Sequence, residues 1–194
     1  MRDIDHIKDL RKMAKAIGND TATISEKVLG LPEFKTWSAC VGNKHHYGKG
    51  GLKQHVWEVV TLCMKNRIFF ESIGTKISER ELFLSALFHD VGKIYDYKPS
   101  DKYMSQWEST EHKRKIHHIS KSGVLWVKAV TETGLCKDIE DDVLHAILSH
   151  HGLREWGSPV APKSRVSWLL HLCDGLSARM DDCERSDVLD RKPK

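Results

Sequence analysis

Apolar residues along this chain recur every three or four positions, the period that places them on one face of a helix. Leu52, Val56, Val59, Val60 and Cys63 follow that spacing, as do Leu84, Leu87, Phe88 and Val91. Leu144, Ile147 and Leu148 repeat it, and so do Leu169, Leu172, Cys173 and Leu176. The punctuation agrees. Gly74 and Gly134 follow apolar segments as helix stops, and Ser78 to Glu81 has capping-box spacing ahead of Leu82. Asp138 stands where it would cap the helix that carries Val143. No useful stretch alternates apolar and polar residues as a strand would. The pattern predicts an all-α globular domain of about seven to nine helices.

Three segments break the pattern: Gly42–Gly51 (GNKHHYGKGG), Tyr95–Lys115, and Gly152–Lys163 (GLREWGSPVAPK). The expected organisation is a helical extension over residues 1–41 packed on the core, a principal domain over 42–180, and a polar tail over 181–194, frayed or disordered.

Composition narrows the class. The 194 residues are 40% hydrophobic and 30% charged, which suits one domain with one core and excludes collagen-like and wholly disordered chains. No run approaches the ~18 consecutive apolar residues of a membrane span. The opening MRDIDHIKDLRK is charged throughout and is no secretory signal. Five cysteines, at 40, 63, 136, 173 and 183, never form C-x-x-C, and most have apolar neighbours. They predict reduced thiols and a cytoplasmic setting with no membrane partner. A formal charge of +4 suits an anionic ligand without requiring nucleic acid, and oligomerisation stays open.

The unusual number is 12 histidines, spread from His6 to His171. His55 falls on the buried side of its helix, between Leu52 and Val59. His89 and Asp90 end the most hydrophobic helix, SALFHDVGK, and His150 and His151 end ILSHHG. Asp174 sits among Leu172, Cys173 and Leu176. A carboxylate in such surroundings must be paired or bound to a cation, because burying it bare costs several kcal/mol or more. One or two divalent transition metals (Mn, Fe, Zn, Ni or Co) answer that need, since imidazoles and carboxylates suit them and converging helix ends supply ligands. An Asp directly after a His is useful because its two oxygens bridge metals about 3.5–4 Å apart. A lone inward histidine is more often a satisfied core residue. The ordered combination of inward His, His-Asp-x-Gly-Lys, His-His-Gly and buried Asp is not explained that way.

In that order, His55…His89-Asp90…Asp174 resembles the HD superfamily of metal-dependent phosphohydrolases, an all-α fold. GGLKQH (50–55), LFHDVGK (87–93), HHISKSG (117–123), LSHHGLREWGSP (148–159) and LHLCDGLSA (170–178) most resemble the HD domain of the YhaM-type 3′→5′ exoribonucleases. Similar blocks occur in HD regions of conjugative-element relaxases and in HD-GYP phosphodiesterases. The resemblance implies a first metal on His55, His89, Asp90 and Asp174. Asp90 would bridge to a second, held by His118, His150 and His151, with His117 the alternative to His118. Lys93 would reach a phosphoryl oxygen, or else act as a partner of the helix C-terminal dipole. His45 and His46 would meet substrate or leaving group, or else be exposed turn residues. His145 has the wrong angle for ligation and reads as structural.

The departures are specific. The YhaM-type enzymes carry an oligonucleotide-binding β-barrel before the HD domain, where residues 1–41 here read as helical. Ser177 stands where those enzymes tend to have a second acidic residue, and both departures weaken the exonuclease inference; GSP at 157–159 replaces the Gly-Tyr-Pro signature of the HD-GYP enzymes and argues against their activity.

The implied reaction is hydrolysis of a phosphoester, of a nucleotide or a single-stranded nucleic acid 3′ end, through a metal-bridged hydroxide. Trp156 with Tyr47, Tyr97, Tyr103 and Trp107 are candidates to stack on a base, and Arg154 with Lys113–Lys115 to meet phosphate. Packing on the body and a solvated face are the competing explanations for these. Two other functions fit the chain less fully: a non-catalytic nucleotide- or nucleic-acid-binding module of a larger assembly, and a helical interaction protein with histidines in its core.

Overall fold

The structure, a computed structural model, describes the backbone of residues 5–42, 44–102, 106–135 and 140–190, with side chains as far as residue 183. Asp138, Cys136 and Tyr103 lie outside the described residues. Seven helices of nine residues or more are described: α1 (His6–Ile17), α2 (Asn19–Leu29), α4 (Gly51–Ser72), α5 (Glu79–Phe88), α8 (His118–Thr133), α9 (Asp141–Ser149) and α10 (Arg165–Asp190). Three short helical turns join them: α3 (Pro32–Thr36), α6 (Lys93–Asp96) and α7 (Glu111–Lys115). The polar stretch from Asp181, expected as a separate tail, continues α10 as far as Asp190. Among the described residues no helix is long and apolar enough to cross a membrane.

Helix α5 is the axis of the domain. Every residue from Leu82 to Phe88 is buried, as the unbroken apolar run demands, and α2, α4, α8, α9 and α10 pack around it. Its start is the capping site read from the sequence, with the Ser78 hydroxyl accepting from the Glu81 amide at 3.4 Å. Its end carries His89 and Asp90, so the most buried helix delivers its last residues to the middle of the protein. Phe88 meets the fully buried Trp126 of α8 edge-on, with ring centroids 5.3 Å apart.

The long irregular segment holds one small sheet. Strands β1 (Tyr97–Pro99) and β2 (Trp107–Ser109) pair antiparallel, with Tyr97 opposite Ser109. Three residues are too few to show alternation, so this hairpin left no sequence signal. It is pinned to the helical body by Trp37, whose indole N–H donates to the Tyr97 carbonyl at 2.7 Å and whose ring meets Trp107.

Gly92 sets how closely α8 approaches the end of α5. A Cβ there would stand 2.3 Å from the His118 carbonyl oxygen and 2.9 Å from its Cα, inside any tolerable contact. The Gly92 amide also donates to the buried Ser122 hydroxyl at 2.9 Å. Gly92→Ala should therefore force the start of α8 away from α5 and cost about 1–3 kcal/mol of stability. Urea denaturation checks this, and an unchanged midpoint would show that α8 has slack.

Candidate metal centre

Five separate segments bring their polar residues to one buried point. His55 comes from α4, His89 and Asp90 from the end of α5, His118 from the first turn of α8, His150 and His151 from the end of α9, and Asp174 from α10. Two groups result. The ligand atoms of His55, His89, Asp90 and Asp174 lie within 4.8 Å of one another, and so do those of His118, His150 and His151. Asp90 joins them. Its Oδ2 is 3.2 Å from His55 Nε2 and 3.5 Å from His89 Nε2, while its Oδ1 is 3.3 Å from His118 Nε2 and 3.5 Å from His150 Nε2. Asp174 Oδ1 completes the first group, 3.0 Å from His55 Nε2 and 3.7 Å from His89 Nε2.

The inner imidazoles are oriented from behind. His89 Nδ1 donates to the Ala86 carbonyl and His150 Nδ1 to the Ile147 carbonyl, each at 2.7 Å. These are the carbonyls three residues back that a helix end leaves without partners. His151 Nδ1 donates to the Trp156 carbonyl at 3.1 Å. His118 Nδ1 donates to Asp96 Oδ2 at 3.1 Å, and His55 Nδ1 to the Ser177 hydroxyl at 3.2 Å. With Nδ1 engaged behind, each ring directs its Nε2 to the centre, and in a neutral ring such as His118 that nitrogen presents a lone pair.

That orientation creates a conflict that a cation resolves. Asp90 Oδ1, His118 Nε2 and His150 Nε2 are buried and have no hydrogen-bond partner. Acceptors therefore face one another across 3.3 and 3.5 Å. Such an arrangement is repulsive unless positive charge lies among them, and this N/O donor set suits a divalent transition metal. Burial lowers the pKa of His118 to about 3, and burial together with His150 lowers that of His151 to about 4. Both are thus neutral, the form that binds metal. At His89 burial also pulls downward, but Asp90 and Asp174 outweigh it and push the pKa up to about 10. Its second proton stands in for a cation between the two carboxylates. Burial opposes ionisation of Asp90 as well, yet Lys93 and His89 hold its carboxyl well below the usual range. Lys93 Nζ is 2.5 Å from Asp90 Oδ2, on a buried side chain.

The other candidate residues separate. His45 lines an open cavity of about 570 Å³ beside the centre, together with His150, His151, Trp156, His171 and Asp174. His46 does not reach that wall: it is buried, and its Nε2 donates to Glu58 Oε2 at 2.8 Å. Arg154 is exposed in a 3₁₀ turn (Arg154–Trp156) and is not among the cavity residues. His117 flanks His118 at a φ of 67°, with its ligand atoms near those of Asp96 and His118 rather than those of His150. His145 accepts from the Lys163 amide at 3.0 Å, away from the centre. Tyr97 and Trp107 pack on the body through Trp37.

Sequence reasoning missed the residues behind the ligands. Asp96 is fully buried and accepts from the His118 amide, from His118 Nδ1 and from His112 Nδ1, the last at 2.9 Å. Glu58 accepts from the Ser177 hydroxyl at 2.9 Å and from His46, so Ser177 relays a carboxylate to His55. Asp96 lies in the segment without periodicity, and no local pattern marked it. Glu58 had one signal, its place three residues after His55 on a helix.

The HD domain family model matches residues 52–179. The chain belongs to this family, and with it to the metal-dependent hydrolases of the HD phosphohydrolase type. Among known proteins it is similar to the 3′-5′ exoribonuclease YhaM of Bacillus pumilus, 32% identical over 159 residues that cover 79% of this chain and 46% of that protein. It is 30% identical to YhaM of Bacillus subtilis over 157 residues and 32% identical to YhaM of Oceanobacillus iheyensis over 156. The subtilis match covers 79% of this chain and 46% of that protein, and the Oceanobacillus match 77% and 44%. The chain thus spans about half the length of the curated relatives it matches. No solved structure matches it significantly.

The Asp96 contacts generate a test. Asp96→Asn leaves one oxygen to serve donors that now use two, so His118 loses its fixed orientation. Metal affinity on the His118/His150/His151 side should fall about 10–100-fold, with the His55/His89/Asp174 side retained. Calorimetric titration of metal-stripped protein with Mn²⁺ or Zn²⁺ reads both, and two unchanged affinities would remove Asp96 from this role.

Proposed function

We propose that the chain hydrolyses a phosphoester of a nucleotide or of a single-stranded nucleic acid 3′ end, using two divalent metals. His55, His89, Asp90 and Asp174 would hold one, and His118, His150, His151 and the second oxygen of Asp90 the other. The carrying observation is that Asp90 Oδ1, His118 Nε2 and His150 Nε2 are buried together without hydrogen-bond partners. Metals bound there acidify a water and neutralise charge on the phosphoryl group under attack.

The chain's own residues contribute the rest. Asp90 ties both groups to one carboxylate at the end of the most buried helix, so their separation is set by a side chain and not by loop motion. Lys93 keeps an ammonium beside that carboxylate, because the attraction of Asp90 outweighs the burial that would discharge it and raises its pKa. A positive charge fixed beside Asp90 would help to balance the charge of a phosphoryl group engaged at the centre. His45 faces the cavity as a neutral imidazole, its pKa lowered to about 3 by burial first and by Lys93 next. It is fit to hydrogen-bond substrate and unfit to attract it by charge. Residues 42–180 form the catalytic unit in this reading, with 1–41 packed on it.

The similarity to enzymes named 3′-5′ exoribonucleases supports single-stranded RNA over a mononucleotide as the substrate class. The protein supplied with Mn²⁺ should shorten a 5′-labelled RNA oligonucleotide stepwise from its 3′ end, and Asp90→Ala should abolish this. Cleavage of mononucleotides alone would replace the nuclease by a nucleotidase. Nucleotide binding without turnover by metal-loaded protein would leave a binding module.

A further inference from the structure

We infer that the cavity beside the metal centre holds a nucleobase of the substrate, stacked on Trp156 and edged by His171. This rests on the phosphoester reading above and adds what becomes of the substrate beyond phosphorus. The cavity has two unlike walls. His150, His151 and Asp174 make one, and a phosphoryl group engaged there turns its ester substituent toward the other. The rest of the lining includes the neighbouring rings of Trp156 and His171, the apolar Leu172 and Leu176, and Arg179. Trp156 and Leu172 are each 59% exposed, so the wall offers uncovered apolar surface beside the most polar point of the protein.

The two rings are seated by specific contacts. His171 Nδ1 donates to the His150 carbonyl at 2.8 Å, which leaves little freedom to the ring. The ring lies against Gly152, where a Cβ would come within 2.4 Å of His171 Cε1, and the backbone there has a φ of +89°. Only glycine makes that seat without strain. Trp156 stands 6.0 Å from His171 between centroids, with an interplanar angle of 30°, and its carbonyl accepts from His151. Both aromatic residues are therefore bonded through the backbone to the segment that carries His150 and His151. The distance from metal to stacking surface is fixed by this framework. Every base has a flat π-face, so such a wall takes a base without selecting which one. Arg179, which also lines the cavity, is paired with Asp182 at 3.2 Å.

Two esters with the same leaving group separate this from the phosphohydrolase reading: thymidine 5′-(p-nitrophenyl phosphate), which has a base, and methyl p-nitrophenyl phosphate, which has none. Trp156→Ala should lower the ratio of their kcat/KM values by about tenfold. Trp156→Phe should restore most of the ratio, and Trp168→Ala, which removes the other neighbour of His171 outside the cavity, should keep it. Uridine 5′-monophosphate added to Mn²⁺-loaded protein should quench tryptophan fluorescence, with the quench lost in Trp156→Phe and kept in Trp168→Phe. A ratio indifferent to Trp156, or a quench that survives its replacement, would overturn the subsite. Failure of the unaltered protein to cleave either ester would defeat the phosphohydrolase reading, and the fluorescence would still decide the subsite.

Discussion

An ionised carboxylate cannot be left bare in the interior of a protein, and Asp90 is 1% exposed at the centre of this one. The rest of the site can be understood as compensation for that burial. Lys93 sits against one oxygen. Four imidazoles, those of His55, His89, His118 and His150, face the two oxygens, two to each. His89 gains a proton when no stronger cation is there, while His118 stays neutral. Each ring has two carboxylates beside it, but at His89 Asp90 and Asp174 outweigh burial, whereas at His118 burial outweighs Asp96 and Asp90. One side of the centre is thus charge-balanced by protons and the other by geometry that invites a metal.

Rigidity comes from the hydrogen bonds behind the imidazoles. Two of them reuse carbonyls that a helix end exposes in any case, which explains why His89 and His150 occupy the caps of α5 and α9. The other supports are side chains from elsewhere. Asp96 couples His118 to the segment around His112, and Ser177 passes the charge of Glu58 to His55. At Ser177 this chain reaches a carboxylate through a hydroxyl. His55 thereby donates toward negative charge without touching it.

How much of this was legible in the sequence depended on periodicity. The helices were visible because their apolar faces repeat, and Ser78 announced the start of α5. The residues around Asp90 were visible because a polar residue on an apolar face contradicts the pattern, as His55 and Asp174 do. Asp96 and His112 lie where no pattern exists to contradict, so their pairing with His118 emerged only in three dimensions. The aromatics could not be told apart for a related reason. Tyr97, Trp107 and Trp156 all sit in irregular segments and look alike in sequence, yet two pack on the body and one faces the cavity. His171, one turn before Asp174 on the same helix, drew no notice because its partner is a main-chain carbonyl.

The seven residues around the centre come from α4, α5, α8, α9 and α10, and from positions as distant as 55 and 174. Ions bound in the two groups, joined through Asp90, would do what covalent cross-links do in a small secreted protein and fasten five helices together. Since the scattered donors of an unfolded chain bind such an ion far less well, free ion at a thousand times its dissociation constant adds about 4 kcal/mol to folding. Loading is then a matter of persistence as well as chemistry. Protein without the ion would lack that contribution and open more readily.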